Sequence, residues 1–278
     1  MLTRSLGLSA DQLDSLARLE TATIDADGGR LKLEWGALRH RAPDEVRDLL
    51  WWDDSQLVGF AGLYAFGSTT PEVTGMVHPS HRRHGIGARL FDEMTELCGA
   101  RGDTRILLVT PRSSPGARQL ATSRGGVLDH SEHALALQGT VADGPSDASI
   151  ALRPAASDDA EEVQRLVTAA FGHSFGPIDL ESPAEPTMVA ERDGAIIATL
   201  RVHHTQEGWG VYGFAVDPPL QGQGIGRDLL RRVCRQAHDA GVDRVHLEVS
   251  VENDRALGLY TSLGFVHEAT EDYYAIAL

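Results

Sequence analysis

Lysine is almost absent from this sequence of 278 residues, and its scarcity excludes several kinds of chemistry. Because Lys32 is the only lysine, the second half of the chain cannot use a lysine base, a Schiff base or the lysine of a P-loop. Acidic residues outnumber lysine and arginine by 40 to 25, which gives a formal charge of −15. Nucleic-acid-binding proteins normally present a basic surface, so this balance argues against a nucleic-acid partner. An acidic surface favours solubility and can also concentrate cationic substrates such as amines.

Cysteines and long apolar runs are scarce as well. Cys98 and Cys234 are the only cysteines, and each lies on the apolar stripe of a predicted helix, which favours buried thiols in a reducing compartment. The N-terminal stretch includes Asp11, Asp14 and Glu20 and holds no apolar run long enough for a signal peptide or a membrane span. We therefore expect a cytoplasmic protein that has no membrane partner.

An internal repeat is the main organisational feature of the sequence. A shift of 139 residues aligns two stretches without gaps from about position 49 to position 137. Under this shift VTGMVHPSHRRHGIG (73–87) lies over YGFAVDPPLQGQGIG (212–226), and ARQLATSRGG (117–126) lies over ALGLYTSLGF (256–265). A single offset that holds over roughly ninety residues is difficult to obtain by chance, so we infer a duplicated domain.

The segment between the two copies reads QGTVADGPSDAS (138–149), a composition typical of a linker. We therefore predict an N-terminal domain over 1–137 and a C-terminal domain over 150–278. Each copy begins with a short predicted strand and an amphipathic helix, which Ser9 and Ser157 respectively are predicted to cap. The mixed order of strands and helices indicates an α/β domain in each copy. In the second copy we predict strands over 187–191, 195–203, 211–216, 244–249 and 273–278 and helices over 225–240 and 254–262.

In each copy a strand that ends in Val-x-Pro is followed by a glycine-rich loop at the start of a helix. Glycine lets the backbone approach a ligand closely, and the first turn of a helix presents unpaired N–H groups, so this combination can bind a phosphate or a pyrophosphate. A dinucleotide-binding fingerprint fits less well because Arg227 stands where its third glycine belongs, although Glu248 lies where an acidic ribose ligand could be. In the first copy Arg82, Arg83 and His84 add positive charge to the loop.

The loop QGQGIG (221–226) resembles the acetyl-CoA pyrophosphate loop of the GNAT superfamily of N-acetyltransferases. The later segment NDRALGLYTSLGF (253–265) is similar to that superfamily's Asn-x-x-Ala-x-x-x-Tyr-x-x-x-Gly-Phe motif. The resemblance covers nearly the whole second copy, and the first copy more loosely. The resemblance implies two tandem GNAT domains with mixed sheets, in which acetyl-CoA is held between two splayed strands, here 211–216 and 244–249. It also implies direct attack of the amine of a small molecule on the thioester, without a metal ion.

The resemblance further implies which residues bind the co-substrate and the acceptor. Backbone groups at the strand end would contact the pantetheine arm, and loop amides would hold the pyrophosphate. The candidate acetyl-CoA-binding residues of the second copy are Phe214, Ala215, Val216, Gln221, Gly222, Gln223, Gly224, Ile225, Gly226, Arg227 and Asn253. Their counterparts in the first copy are Met76, Val77, Arg82, Arg83, His84, Gly85, Gly87 and Ala88. The candidate acceptor-site residues are Glu34, His203 and Tyr212.

Tyr260 occupies the position of the general acid in that superfamily. A phenol with a pKa of about 10 can protonate a thiolate whose thiol has a pKa of about 8.5, because this transfer is nearly balanced. The same residue could instead fill the core of the domain. Ala121 replaces it in the first copy, so we predict that only the second copy is catalytic. The base is open, because Gly210 stands where the resemblance implies a glutamate; the candidates are the carboxylates Glu248 and Glu207 and the strand histidines His203 and His204, although a strand histidine more often has a structural role.

A tandem arrangement whose first half lacks the acid resembles the mycothiol synthase branch of the superfamily, which acetylates the amine of a cysteinyl pseudodisaccharide. The shared features include ValAspPro at 216–218 and TyrThrSerLeuGlyPhe at 260–265. Gly210 and a short, lysine-free loop at 203–209 depart from that pattern and leave the acceptor open. The alternative function is a non-catalytic acyl-CoA-binding or sensing protein. Because tandem domains can pair within one chain, the sequence allows either a monomer or a homodimer.

Overall fold

The computed structural model describes residues 1–65, 70–172, 180, 185–205 and 208–278. The chain forms two compact units. Unit 1 comprises Met1–Glu132 and Ala269–Leu278, and unit 2 comprises His133–Glu268. Each unit combines helices with a mixed sheet, which confirms the predicted α/β class. Across these described residues, none of the helices combines the length and the apolar character that a membrane crossing requires.

The strands and helices are numbered along the chain. The strands are β1 (Leu2–Ser5), β2 (Asp48–Asp53), β3 (Gln56–Tyr64), β4 (Glu72–Val77), β5 (Arg105–Pro111), β6 (Val127–Gln138), β7 (Ala151–Pro154), β8 (Thr187–Arg192), β9 (Ala195–Thr205), β10 (Gly208–Val216), β11 (Arg244–Ser250) and β12 (Val266–Ala277). The helices are α1 (Ala10–Asp27), α2 (Trp35–Arg39), α3 (Ile86–Arg101), α4 (Pro115–Ser123), α5 (Ala160–Phe171), α6 (Ile225–Asp239) and α7 (Asp254–Ser262). β12 begins well before the predicted start at position 273.

The two units have the same arrangement of strands. In unit 1 the strand order is β1-β2-β3-β4-β5-β12, with antiparallel pairs from β1 to β4 and a parallel pair between β4 and β5. In unit 2 the order is β6-β11-β10-β9-β8-β7, with antiparallel pairs from β7 to β10 and a parallel pair between β10 and β11. A parallel pair needs a crossover, which α3 provides in unit 1 and α6 provides in unit 2.

Apolar residues at helical spacing pack each crossover helix on its sheet. In unit 1, Leu90 and Met94 of α3 lie in a core with Leu108 of β5. In unit 2, Leu230 and Val233 of α6 lie in a core with side chains of β9, β10 and β11. Both helices follow a left-handed glycine, since Gly85 and Gly224 are their N-cap residues. Each crossover helix therefore begins directly after the glycine loop that follows the preceding strand.

The cysteines lie on these same helices. Cys98 and Cys234 are both free and buried, as predicted. Burial raises the pKa of the Cys98 thiol to about 11 and that of Cys234 to about 12. A thiol with so high a pKa holds little thiolate at neutral pH, so both side chains act as apolar core groups.

The expected helix caps have different outcomes. Ser9 caps α1, because its Oγ accepts a hydrogen bond from the Gln12 N–H while the Gln12 side chain accepts one from the Ser9 N–H. The prediction for Ser157 is wrong. α5 begins at Ala160 with Asp159 as its N-cap residue, and residues Ser157–Asp159 form a 3₁₀ turn instead.

The last strand of each sequence copy contributes to the unit built mainly from the other copy. Residues 133–138 at the end of β6 belong to unit 2, and residues 269–277 of β12 belong to unit 1. Leu135 is fully buried in the core of unit 2, and Ile276 is buried in the core of unit 1. The compact units therefore differ from the continuous ranges 1–137 and 150–278 expected from the sequence.

The segment 139–149 lies in unit 2 and is held along α6. The Nε atom of Arg231 donates a hydrogen bond to the carbonyl oxygen of Ala142 at 3.1 Å, and its Nη1 atom donates one to that of Pro145 at 2.9 Å. A Cβ at Gly144 would lie 2.5 Å from the guanidinium carbon of Arg231, so a side chain at this position would displace the arginine from its present contacts. The linker-like composition thus belongs to an ordered segment.

Leu135→Ala and Ile276→Ala test the exchange of strands. Each variant removes a buried aliphatic side chain, so we expect the free energy of unfolding to fall by about 2–5 kcal/mol. Leu135→Ala should accelerate amide hydrogen exchange in β11, and Ile276→Ala should accelerate it in β5, whose Ile106 pairs with Ile276. Peptide-resolved mass spectrometry measures this exchange, and each variant is the control for the other. The reverse pattern would contradict the assignment of the two strands.

Candidate active site

Strands β10 and β11 pair over only part of their length. Their parallel register covers residues 209–211 of β10 and 245–247 of β11. Beyond this register β10 continues to Val216 and β11 continues to Ser250. The backbone N–H and C=O groups beyond the last pair can therefore hydrogen-bond an extended ligand between the two strands.

A β-bulge in β10 begins where this pairing ends. Tyr212 lies opposite Arg201 of β9, and the next paired residue, Ala215, lies opposite Thr199, so β10 contains one extra residue. Gly213 within the bulge has a φ of 57°, a left-handed conformation that glycine adopts without strain. A bulge leaves the extra residue unpaired and bends its strand. Unpaired N–H groups at this point could polarise a carbonyl group of a bound ligand.

The glycine loop joins β10 to α6. Gly222 and Gly224 have φ values of 84° and 86°, and Gly224 offers no side-chain acceptor to the first N–H groups of α6. Those donors can face an anion at the end of the helix where the dipole favours negative charge. The Nε2 atom of Gln221 donates to the carbonyl oxygen of Val216 at 3.0 Å, and its Oε1 atom accepts from Nη1 of Arg255 at 3.1 Å. The loop is therefore tied to both β10 and α7.

The other candidate residues of this loop differ in exposure. Gln223 and Arg227 are exposed, whereas Gly226 is half-buried. Ile225 is buried in a core with Leu229, so its side chain anchors the helix. Phe214 and Val216 are half-buried and pack against that core, while Ala215 is buried.

Asn253 has a structural role that the motif comparison does not reveal. It is the N-cap residue of α7, and its Oδ1 atom accepts a hydrogen bond from the Ala256 N–H at 3.0 Å. In unit 1 the corresponding Ser114 caps α4, with its Oγ atom accepting from the Ala117 N–H at 3.4 Å. Both side-chain types serve as helix caps, so the difference between Asn253 and Ser114 preserves this function.

Tyr260 of α7 lies in the core of unit 2. Its side chain packs in one cluster with Leu247 and Val249 of β11, and its ring centroid lies 6.1 Å from that of Phe265. Burial raises the pKa of the Tyr260 hydroxyl to about 12. The hydroxyl is therefore protonated at neutral pH, as a proton donor must be. It is a weaker acid than an ordinary phenol, so transfer to a thiolate is less balanced than the sequence-based argument expects.

The opposite face of the same sheet carries polar side chains. Because side chains alternate along a strand, Tyr212 of β10 and His246 and Glu248 of β11 lie on the face away from Leu247 and Val249. The Tyr212 hydroxyl lies 3.4 Å from Nε2 of His246, and the two rings are T-shaped with centroids 6.3 Å apart. We call Arg201, His203, Tyr212, His246 and Glu248 the polar face of unit 2.

His203 stands on the other side of Tyr212. The two ring centroids lie 6.4 Å apart, and Nδ1 of His203 lies 3.7 Å from a carboxylate oxygen of Glu185. The structure therefore brings the candidate acceptor residues Tyr212 and His203 together. The third candidate, Glu34, lies in unit 1, where it is the N-cap residue of α2. Glu207 lies outside the described residues.

Gly210 has a steric explanation. A Cβ at this position would lie 2.5 Å from Cε2 of Tyr212 and 3.0 Å from Nε2 of His246. The two rings therefore fill the space that a side chain at position 210 would need. The sequence comparison missed His246, although the alternation of buried and half-buried residues in β11 places it on the same face as Glu248.

Unit 1 has a cavity of about 790 Å³ at the corresponding position. The register of β4 with β5 covers only Glu72 with Leu107 and Val73 with Leu108, and the next residues of both strands line the cavity. Unlike β10, β4 keeps a continuous register with β3 over its whole length, so it has no bulge. The first-copy candidates that line the cavity are Met76, Val77, Arg82, Arg83, Gly85, Gly87 and Ala88, whereas His84 does not line it.

The side chain of Arg82 is engaged in protein contacts. Its Nη1 and Nη2 atoms donate to the two carboxylate oxygens of Asp27 at 2.7 and 2.8 Å, and its Nε atom donates to the carbonyl oxygen of Val77 at 3.0 Å. The last contact corresponds to that of Gln221 with Val216 in unit 2. Ala121, the counterpart of Tyr260, is fully buried and offers no proton donor. Within the residues that the structure describes, no group of His, Cys, Asp and Glu side chains has the composition of a metal site.

Comparisons with known proteins agree with this geometry. The family model described as "Acetyltransferase (GNAT) family" matches residues 12–125 and 154–265. The chain is 34% identical to a mycothiol acetyltransferase from Kineococcus radiotolerans, over 96% of the chain and 94% of the relative. It is 30% identical to a mycothiol acetyltransferase from Streptomyces coelicolor, over 96% and 92% respectively.

Solved structures show the same fold. A GCN5-related N-acetyltransferase from Sphaerobacter thermophilus superposes with a TM-score of 0.81 at 21% identity, covering 99% of this chain and 95% of the other. A tandem GNAT protein from the clavulanic acid biosynthesis pathway superposes with a TM-score of 0.68 at 19% identity, covering 100% and 98%. At these identities the likeness supports the tandem fold alone.

A titration of Tyr260 tests its environment. Because burial disfavours the phenolate, we expect Tyr260 to remain protonated up to about pH 10.5, where ordinary tyrosines are already ionising. The difference in phenolate absorption between wild type and Tyr260→Phe isolates this one hydroxyl. Far-ultraviolet circular dichroism on the same samples shows whether the fold persists. A midpoint at or below pH ~10 in folded protein would contradict the buried position.

Proposed function

The chain belongs to the acetyltransferase (GNAT) family, and on that basis we propose that unit 2 transfers the acetyl group of acetyl-CoA to the primary amine of a mycothiol-type small molecule. It is an acetyltransferase whose co-substrate is acetyl-CoA. The observation that carries the assignment to unit 2 is the pair Tyr260 and Ala121: the hydroxyl that could protonate a leaving thiolate is present in one unit and missing in the other.

The residues of unit 2 fit the co-substrate. The N–H groups at the start of α6 would face its pyrophosphate, with Gly222 and Gly224 keeping side chains out of the way. The backbone beyond the last pair of β10 with β11 would bind the extended pantetheine arm, and the bulge at Gly213 would direct an N–H group toward the thioester carbonyl. Tyr260 would then donate its proton to the sulfur as the C–S bond breaks.

For unit 1 we propose binding without turnover. The 790 Å³ cavity of unit 1 lies between its separating strands and beside its glycine loop. This position corresponds to the proposed acetyl-CoA site of unit 2. Unit 1 differs in three respects: β4 has no bulge, Ala121 replaces the acid and Arg82 is paired with Asp27. A non-catalytic protein in both units is less favoured, because Tyr260 is retained at its place in unit 2.

The composition also bears on the compartment and the partners of the enzyme. The excess of acidic over basic residues disfavours a nucleic-acid partner, and the two buried, free cysteines suit the reducing environment of the cytoplasm. The acidic surface suits a cationic acceptor, because it raises the local concentration of ammonium groups. A monomer and a homodimer are both compatible with two acetyltransferase folds in one chain.

Tyr260→Phe tests the proposed chemistry. We expect kcat to fall about 10²- to 10⁴-fold, because the leaving thiolate loses its proton donor, while the Kd for acetyl-CoA is unchanged. Release of the CoA thiol is measured against a cysteinyl pseudodisaccharide, a free amino acid and a diamine. Tyr274→Phe is the matched control, since Tyr274 is a buried tyrosine in the core of unit 1. If wild type binds acetyl-CoA but none of these amines supports release of CoA, the proposed function is wrong.

Gly224→Glu and Gly85→Glu separate the two loops. Each places a carboxylate and a strained left-handed residue at the start of a helix that would receive a phosphate. We expect Gly224→Glu to remove turnover and one of two acetyl-CoA sites in a calorimetric titration. Gly85→Glu should remove the other site and preserve turnover. If Gly85→Glu still binds two acetyl-CoA molecules per chain, the proposed binding in unit 1 is wrong.

A further inference from the structure

We propose that His246, hydrogen-bonded to Tyr212, accepts the proton of the attacking amine in unit 2. The inference rests on the proposed acetyl transfer and names the base that this transfer requires. It depends on where the strands separate, on which face each side chain occupies and on the contact between the two rings.

The Tyr212–His246 pair lies at the point where β10 and β11 separate. His246 pairs with Gly210, one position before the end of the parallel register, and Tyr212 is the first residue of β10 beyond it. The bulge that follows Tyr212 is the part of β10 that would face a thioester carbonyl. Tyr212 and Glu248 are therefore the first residues of their strands beyond the last pair, and His246 lies one pair behind them, where the Tyr212 ring reaches back over Gly210.

The acid and the proposed base occupy opposite faces of the sheet. Tyr260 packs with Leu247 and Val249 on the buried face of β11, whereas His246 projects from the other face. An amine must approach the thioester carbon from one side, and the leaving sulfur must be protonated from another. A ligand that lies between the separated strands is open to both faces, so the two proton transfers do not compete for the same space.

The surroundings of His246 hold it toward Tyr212. The Tyr212 hydroxyl lies 3.4 Å from Nε2 of His246, and Gly210 leaves room for both rings because a Cβ would lie 2.5 Å from Tyr212. On the far side of Tyr212 stands His203, with its ring centroid 6.4 Å from that of Tyr212. The hydroxyl of Tyr212 can therefore receive a proton from an amine and pass its own to Nε2 of His246.

The charged and titratable groups near the pair come from β9 and β11 and from two carboxylates that pair with them, Glu185 with His203 and Glu268 with Arg244. β9 contributes Arg201 and His203, and β11 itself contributes Arg244 and Glu248 on the same face as His246. From β6, which neighbours β11, residues 134–137 are apolar. The titratable residue of this part of β6, His133, packs against His267 with ring centroids 4.9 Å apart. Glu248 is thus the carboxylate on β11 nearest in register, and it competes with His246 for the role of base.

The amine nitrogen loses two protons in the reaction. One reaches His246, and the other replaces the proton that Tyr260 gives to the sulfur. The acceptor enters as an ammonium ion and gives its first proton through the Tyr212 hydroxyl to His246. The amine nitrogen forms a bond with the carbonyl carbon, the C–S bond breaks, and Tyr260 protonates the thiolate. The second nitrogen proton returns to Tyr260 through solvent. The products are the acetylated amine, the CoA thiol and one proton, which His246 releases to water.

His246→Gln tests the assignment through the pH dependence of turnover. Glutamine keeps a polar side chain of similar reach and cannot accept the proton. We expect kcat/KM to fall about 10²- to 10³-fold and the limb of the pH profile in the range of imidazole titration to disappear. Tyr212→Phe should reduce kcat/KM about tenfold. His204→Gln is the matched control, because His204 stacks on Trp209, with ring centroids 4.2 Å apart, on the other face of β9.

Two further measurements distinguish a base from a structural residue. Added imidazole should partly restore turnover in His246→Gly, which a packing role would not allow. An NMR titration of His246 needs no turnover, and Tyr212→Phe should shift its midpoint if the two groups are paired. Unchanged midpoints, a normal pH profile in His246→Gln, or loss of the limb in Glu248→Gln alone would overturn the proposal. Absence of turnover by wild type on every amine would instead overturn the acetyl transfer on which it rests.

Discussion

The partial pairing of β10 with β11 is the constraint on which the candidate site depends. Two parallel strands normally continue side by side, because each added pair satisfies two backbone groups. Here the extra residue at Gly213 bends β10 where the register with β11 ends at Val211 and Leu247. The strand then enters the glycine loop and α6. A cleft for an extended ligand, a bulge and a helix N-terminus therefore follow one another along a single stretch of chain.

The candidate sites of the two units differ at few positions. β4 and β5 also stop pairing early, and the cavity of about 790 Å³ fills the place between them. The loop is tied to the strand end in both units, by Arg82 in one and by Gln221 in the other. The differences are local: a continuous strand in place of a bulge, and Ala121 in place of Tyr260. Duplication has thus kept the architecture of the two units while these side chains and the strand geometry differ.

Much of the fold follows from patterns that are local in the sequence. Helical spacing, the glycine loops and the constant offset between copies are sufficient for the two-domain α/β fold, because each reflects the chain's own geometry. The exchange of β6 and β12 between the two units cannot be predicted from such local patterns. A strand with an apolar face, such as the one that carries Leu135, suits either sheet, and tertiary packing decides which it joins. Asn253 shows a limit of motif comparison. It belongs to the family motif, yet its contact in the structure is explained by helix capping alone.

The site is predictable where it depends on backbone geometry and less so where it depends on side-chain neighbours. Gly213, a glycine inside a strand, is a known signal for a bulge, and the alternation of β11 places His246 on the polar face. Neither pattern shows that burial raises the pKa of Tyr260 to about 12, because that shift depends on packing across several elements.

The position of the base illustrates why a motif comparison and a structure can identify different residues for one role. A motif assigns a role to a position in the chain, here 210, whereas chemistry assigns it to a region of space beside the reacting carbon. That region can be reached from β10 or from the neighbouring strand, since Gly210 and His246 are paired across the two. Tyr212 and His246 occupy the space above Gly210, so a carboxylate at 210 would require these rings to move. The glycine is thus the steric counterpart of the histidine, and a search for the base along β10 alone would miss it.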